Sequence, residues 1–217
     1  MTITIFLTIT PSLLILAFII LSDKFPEPLE MILSTFFIGF LLCLPAGILN
    51  NYFIFSREIP GDYVYLAGLT EETLKFMALF FFIRKRVEFN EPMDAIVYGV
   101  LISLGFATYE NYEYIFVYDS DFSSLNIAIL RAVTAIPLHA ACGIIMGYYF
   151  GMYSLSKSKH FLYQSLAIPI VLHGVYNYME NLFYIFLLLI LAIMTCLFLH
   201  QSVVATQKKK TSEREFN

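Results

Sequence analysis

About seven apolar stretches, each near the twenty residues that cross a bilayer core, take up almost the whole chain. They run Ile3–Leu21, Glu30–Leu49, Tyr63–Phe82, Met93–Phe116, Ala128–Tyr153, Leu162–Met179 and Leu182–Val204. Hydrocarbon offers no partner to a backbone N–H or C=O, so repeated stretches of this length fold as helices that satisfy those groups internally. The expected fold class is therefore all-α: a polytopic transmembrane helix bundle of about seven spans, with six to eight possible. Only 14% of the residues are charged and 59% are hydrophobic, against about a quarter charged in ordinary soluble domains. Residues 1–207 are expected to form a single membrane domain and 208–217 a basic tail, with no soluble domain left over. The first stretch has no basic segment before it and no small-residue cleavage site after it, so it reads as a retained span.

The connections carry turn residues or charge, as in Asp23-Lys24-Phe25-Pro26-Glu27-Pro28 and Arg57-Glu58-Ile59-Pro60-Gly61-Asp62. The shortest, near Glu180-Asn181, leaves the count of the last two spans open. Basic residues orient the bundle. With the N-terminus outside, Lys24, Arg84, Lys85, Arg86, Lys157, Lys159, Lys208, Lys209, Lys210 and Arg214 all fall on the cytoplasmic side. Only Arg57 is then outside, beside the acidic Asp119 and Asp121 connection, and the C-terminus is cytoplasmic. Cys43, Cys142 and Cys196 stand singly in apolar text; they indicate neither a disulfide framework nor a thiolate metal site. No nucleotide-binding loop or basic nucleic-acid face is present.

Against this background the ionisable residues inside spans stand out, because each is costly there unless paired or facing water within the bundle. The third span holds Glu71, Glu72 and Lys75, the fourth Glu110-Asn111, the fifth His139, and the sixth His173 with Asn177. At the helical rise, Glu71 lies about 11 Å below the outer end of its span, Glu110 and His173 about 9 Å, and His139 about 12 Å if Arg131 marks the outer interface. Helices running in alternate directions thus place these groups in one layer of the outer half of the bilayer. Gly68 precedes Glu71 and Glu72 by one turn, Gly99, Ser103 and Phe106 share a face with Glu110, and Ala132 and Ala135 lead to His139. Small residues let membrane helices approach closely, and the Gly143, Gly147, Gly151 ladder reads as such a packing face.

Buried carboxylates beside imidazoles suit general acid–base work on water. The same groups are ordinary zinc ligands; the metal candidates are Glu110, His139 and His173, drawn from separate spans because no H-E-x-x-H pair lies on one helix. A structural ion pair from Glu71 to Lys75 at i,i+4 is the plainer alternative. An ion- or proton-coupled transporter also fits intramembrane carboxylates and histidines, although no internal repeat of the transporter kind is evident. A non-catalytic binding or immunity protein is a third reading.

Glu71-Glu72-Thr73-Leu74-Lys75 resembles the EExxK motif, and Phe106-Ala107-Thr108-Tyr109-Glu110-Asn111 the FxxxEN motif, of the PrsW intramembrane proteases, distant relatives of the CAAX prenyl endopeptidases. Glu27-Pro28, Arg131-Ala132 followed by His139, and His173-Gly174-Val175-Tyr176-Asn177 extend the resemblance over most of the chain. It implies an intramembrane endopeptidase of the bacterial cytoplasmic membrane, embedded in the lipid bilayer and making the first cut in a single-span anti-sigma factor near the extracytoplasmic face. It also implies Glu71 as the water-activating base with Glu72 its partner. Glu110, His139 and His173 would complete the catalytic set, with Lys75, Asn111, Asn177 and Arg131 in support. The cofactor stays open between Zn2+ and a metal-free glutamate mechanism. Asn177 departs from family members that carry aspartate there.

Overall fold

The structure, a computed structural model, describes residues 2–215, with side chains through Lys209. Residues 216 and 217 of the expected tail, and the side chains of Lys210 and Arg214, lie outside the described residues. Among those described there is no strand. The chain runs α1 (Thr2–Ser22), α2 (Leu29–Asn50), α3 (Leu66–Ala78), α4 (Pro92–Tyr112), α5 (Ser124–Val133), α6 (Ala135–Ser156), α7 (Lys159–Tyr178) and α8 (Leu182–Glu215). Wider, π-type turns at Asn51–Phe55, Leu79–Ile83 and Glu113–Val117 extend α2, α3 and α4.

Five segments are long and apolar enough to cross a membrane: α1, α2, α4, the α5–α6 pair, and α8. The other two expected spans are also helices but fall short of that measure. The α3 segment carries Glu71, Glu72 and Lys75 within one short helix, and α7 is diluted by residues such as His160, Gln164, His173 and Asn177. The expected fifth span is broken at Thr134, whose backbone leaves helical geometry (φ −122°, ψ −68°) between α5 and α6. Pro137 tolerates this start, since an N–H in the first turn has no helical acceptor.

The starts of α4 and α5 are written in their flanks. Glu91 and Asp94 form a capping box at α4, with Pro92 at its first position, satisfying N–H groups that no preceding turn can reach. At α5 the Ser123 side chain accepts from Asn126 N. The core is centred on α4, 83% of whose spanning window is buried; α2 and α6 flank it, and α7 packs on α6 and α3. Two glycine contacts set the spacing. A Cβ on Gly99 would stand 2.6 Å from Gly143 O, holding α4 against α6. A Cβ on Gly68 would stand 2.5 Å from Gly174 N, holding α3 against α7. Both crossings work because no side chain separates the backbones.

The ends of α1, α4 and α8 opposite the predicted polar layer are tied by Asp23, Glu27, Glu91 and Gln207. Gln207 Nε2 donates to Asp23 Oδ1 at 2.9 Å and to Glu91 Oε1, while Tyr98 OH donates to Glu27 Oε2. Burial, reinforced by the nearby Asp94, pushes Glu27 from 4.5 up to about 8. The folded protein therefore keeps a proton on Glu27 that the unfolded chain releases, so this residue makes stability fall as pH rises from about 4.5 to about 8 and adds no further change above that. Glu27→Gln is expected to flatten that part of the pH dependence. Melting temperatures in detergent between pH 5 and 9 check it: an unchanged slope would exclude Glu27 as its source.

Candidate active site

Four helices bring the predicted groups together. Glu71 and Glu72 lie in the middle of α3, Glu110 near the end of α4, His139 in the second turn of α6 and His173 near the end of α7. The His139 and His173 rings lie 5.0 Å apart, edge to face.

Lys75 is the hub behind them. Its Nζ donates to Glu72 Oε1 at 2.7 Å and to His139 Nδ1 at 3.0 Å, stands 3.9 Å from Glu71 Oε2, and lies 4.2 Å from the centre of the Phe106 ring. An ammonium cannot accept a hydrogen bond, so His139 Nδ1 offers its lone pair and Nε2–H donates to Glu110 Oε2 at 3.0 Å. His173 Nδ1–H donates to Glu72 Oε1 at 2.8 Å, leaving Nε2 without a hydrogen bond. The network thereby fixes one tautomer for each ring. Lys75 and Glu72 are fully buried, at 0% exposure. Neither reaches the adjacent cavity, so Glu72, expected in the catalytic set, stands behind the wall as the partner of Lys75 and His173.

The cavity itself measures about 550 Å³ and is lined by Glu71, Glu110, His139, His173, Arg131 and Asn177, among others. Glu71 meets it asymmetrically. Its Oε1 accepts from Asn50 Nδ2 at 3.1 Å, while its Oε2, buried, has no hydrogen-bond partner and lies 3.9 Å from His173 Nε2. A buried carboxylate oxygen without a donor is an expensive arrangement in a folded protein. Glu110 is held differently. Arg131 Nη2 donates to Glu110 Oε2 at 2.5 Å, Arg131 Nε donates to Asn111 Oδ1 at 2.6 Å, and the guanidinium lies 4.1 Å from the centre of the Tyr114 ring. Arg131 thus belongs to an ion pair with Glu110 and lines the cavity. Asn111 anchors that arginine and does not line the cavity; Asn177 does line it.

Among the described residues, the site's potential metal ligands are Glu71, His139 and His173, whose donor atoms lie within 4.8 Å of one another. Glu71 takes the place expected for Glu110, which is committed to Arg131. Two imidazoles and a carboxylate are an ordinary hydrolytic zinc set, and the partnerless Glu71 Oε2 with the open His173 Nε2 fits that donor chemistry. Both nitrogens of His139 are already engaged by Lys75 and Glu110.

Sequence reasoning missed Asn50 and Thr70. Thr70 Oγ1 donates to Asn50 Oδ1 at 2.5 Å, and Asn50 reaches Glu71 from the last position of α2. The signal available was face alone: Cys43, Ala46, Gly47 and Asn50 share one side of α2 by helical spacing, and all four line the cavity.

With that geometry established, three relatives can be compared. The chain is 35% identical over 178 residues to Protease PrsW of Geobacillus kaustophilus, covering 79% of this chain and 76% of that protein. It is 33% identical over 178 residues to Protease PrsW of Bacillus subtilis, covering 78% and 79%. Against Protease PrsW of Clostridioides difficile it is 34% identical over 198 residues, covering 86% and 83%. No solved structure matches the chain. The sequence profile described as PrsW family intramembrane metalloprotease matches residues 27–202, which take in every residue of the cavity and its backing network. A cavity lined by carboxylates and imidazoles, in a chain with five helices long and apolar enough to cross a membrane and a sequence carrying that profile, places the chain in the PrsW family of intramembrane peptidases, as a multi-pass protein of the bacterial cytoplasmic membrane.

Proposed function

We propose that this peptidase cuts a single-span membrane protein just within the outer leaflet, as the first cleavage of an anti-sigma factor in regulated intramembrane proteolysis. In this reading the N-terminus is outside, the C-terminus cytoplasmic, and α3 and α7 complete seven crossings. The basic connections after α3 and α6 then face the cytoplasm, and the cavity opens at the opposite ends of its helices. One observation carries the reading: a buried Glu71 Oε2 with no hydrogen-bond partner, at the edge of a cavity of about 550 Å³.

The chemistry follows from that oxygen. Water held between Glu71 Oε2 and His173 Nε2 gives its proton to Glu71, and the hydroxide adds to the scissile carbonyl. The cationic Arg131 and the amide of Asn177, both on the cavity wall, are placed to stabilise negative charge on the carbonyl oxygen. Glu71 returns its proton to the departing nitrogen, so that one water is consumed and a new carboxyl and amine are released. Glu72 keeps His173 in the tautomer that presents Nε2 to the cavity, and Lys75, by donating to His139 Nδ1, keeps that ring in the tautomer whose Nε2–H donates to Glu110. A zinc would be held by Glu71 Oε2 and His173 Nε2, with His139 joining them by releasing Lys75 or Glu110, and would supply Lewis acidity towards water and carbonyl.

Co-expression with a panel of tagged single-span proteins, followed by mass spectrometry of the new termini, tests the proposal. The expected cut lies on the extracytoplasmic side of the substrate's span. Cuts confined to the cytoplasmic side, or proton flux from proteoliposomes without cleavage, would overturn it.

A further inference from the structure

The geometry points to Asn50 and Thr70 as a positioning relay that holds Glu71, and this inference rests on Glu71 being the base. Asn50 closes α2 where the chain widens into the π-type turn Asn51–Phe55, which brings its amide against α3. There it joins two consecutive residues of α3: Thr70 Oγ1 donates to Asn50 Oδ1 at 2.5 Å, and Asn50 Nδ2 donates to Glu71 Oε1 at 3.1 Å.

The direction of the relay follows from donor chemistry. A carboxylate only accepts, so the amide must turn its NH2 towards Glu71 and its oxygen away. The Thr70 hydroxyl has other acceptors within reach, Leu66 O at 3.3 Å and Ala67 O at 3.1 Å, but its shortest contact is to Asn50. Donating there, it fixes the amide in the one orientation that serves Glu71. With Oε1 occupied, the carboxylate can rotate neither away from the cavity nor towards Lys75 without losing a hydrogen bond. Its second oxygen stays aimed at the space where a water meets a peptide bond.

Catalytic groups held by such partners lose rate when the partner goes, because a displacement of about 1 Å can cost about a hundredfold. Asn50 and Thr70 contribute to orientation, and their side-chain hydrogen bonds run to each other, to Glu71 and to the α3 backbone.

The test uses full-length protein in proteoliposomes and a tagged single-span protein that the wild type cleaves. Asn50→Ala and Thr70→Val are each expected to lower kcat by about 10- to 100-fold with KM within about twofold, whereas Thr70→Ser retains the wild-type kcat within about twofold. Since both act through one amide, the double variant is expected to be no slower than Asn50→Ala alone. Multiplying losses, a raised KM at unchanged kcat, or a Thr70→Val as fast as the wild type would each overturn the relay. If Asn50→Ala fails to insert or fold, the Thr70→Val and Thr70→Ser pair decides alone. Glu71→Gln separates the two ideas: if it cleaves at full rate, the assignment of the base has failed; if it is inactive while Thr70→Val is unimpaired, only the relay has.

Discussion

Glu71→Gln is expected to leave the protein inserted and folded while slowing cleavage by about 10²- to 10⁴-fold, the usual worth of a general base. The substitution is nearly isosteric. The Gln oxygen can take the Asn50 hydrogen bond that Oε1 now accepts, which turns the NH2 group into the position of Oε2. That group has no acceptor site for a proton from water. The buried charge balance also survives, because the short ion pair of Lys75 is to Glu72 at 2.7 Å and its approach to Glu71 is 3.9 Å. Initial cleavage rates and melting temperature, measured on the same preparation, separate the two effects. Full cleavage by this variant would remove Glu71 from the mechanism; a lost melting transition would mean that its role is structural.

Glu72→Leu is expected to act the opposite way, on the fold before the chemistry. It strands the Lys75 ammonium and the His173 Nδ1–H in a fully buried place. Removing one partner of a buried ion pair costs about 3–5 kcal/mol, because the other charge is left uncompensated. The companion Glu72→Leu/Lys75→Met is expected to recover most of that stability, since well-packed apolar pairs replace buried ion pairs with little loss. It is not expected to recover activity, as His139 Nδ1 and His173 Nδ1 would both lose the partner that sets their tautomer. Denaturation in mild detergent, followed by tryptic protection of the helices, reads the stability, and cleavage reads the rest. A double variant as unstable as the single would mean that the pair is not a closed unit.

The meeting of Glu71, Glu72, Glu110, His139 and His173 was legible because two regularities suffice for it. Helical rise sets depth, and alternation of direction turns depths into one layer. What lies between helices was less legible. Arg131 stands in the last turn of α5 and reads as an interface residue; only the packing of α5 on α1, α6 and the π-type turn after α4 reveals Glu110 as its partner. Asn50 reads as a polar residue at a helix end, which is common, and its bond to Glu71 depends on how α2 and α3 rotate about their own axes. The break at Thr134 was invisible to hydropathy, since the residues on both sides are equally apolar. The helices α3 and α7 were counted as spans from their length, yet the charges and imidazoles that make the site also deprive them of the apolar character of the five longer helices.

That last contrast bears on how the enzyme is made. Less apolar than the five longer helices, α3 and α7 place their charges and imidazoles favourably only against neighbouring helices, and they are joined to each other through Gly68 and Gly174. A nascent chain that has not yet delivered α7 has no His173 to set against Glu72, and its α3 carries three charges without a complete enclosure. The cluster is thus complete only once its last polar helix has docked, so the order in which the helices assemble sets when Glu71, His139 and His173 first stand together.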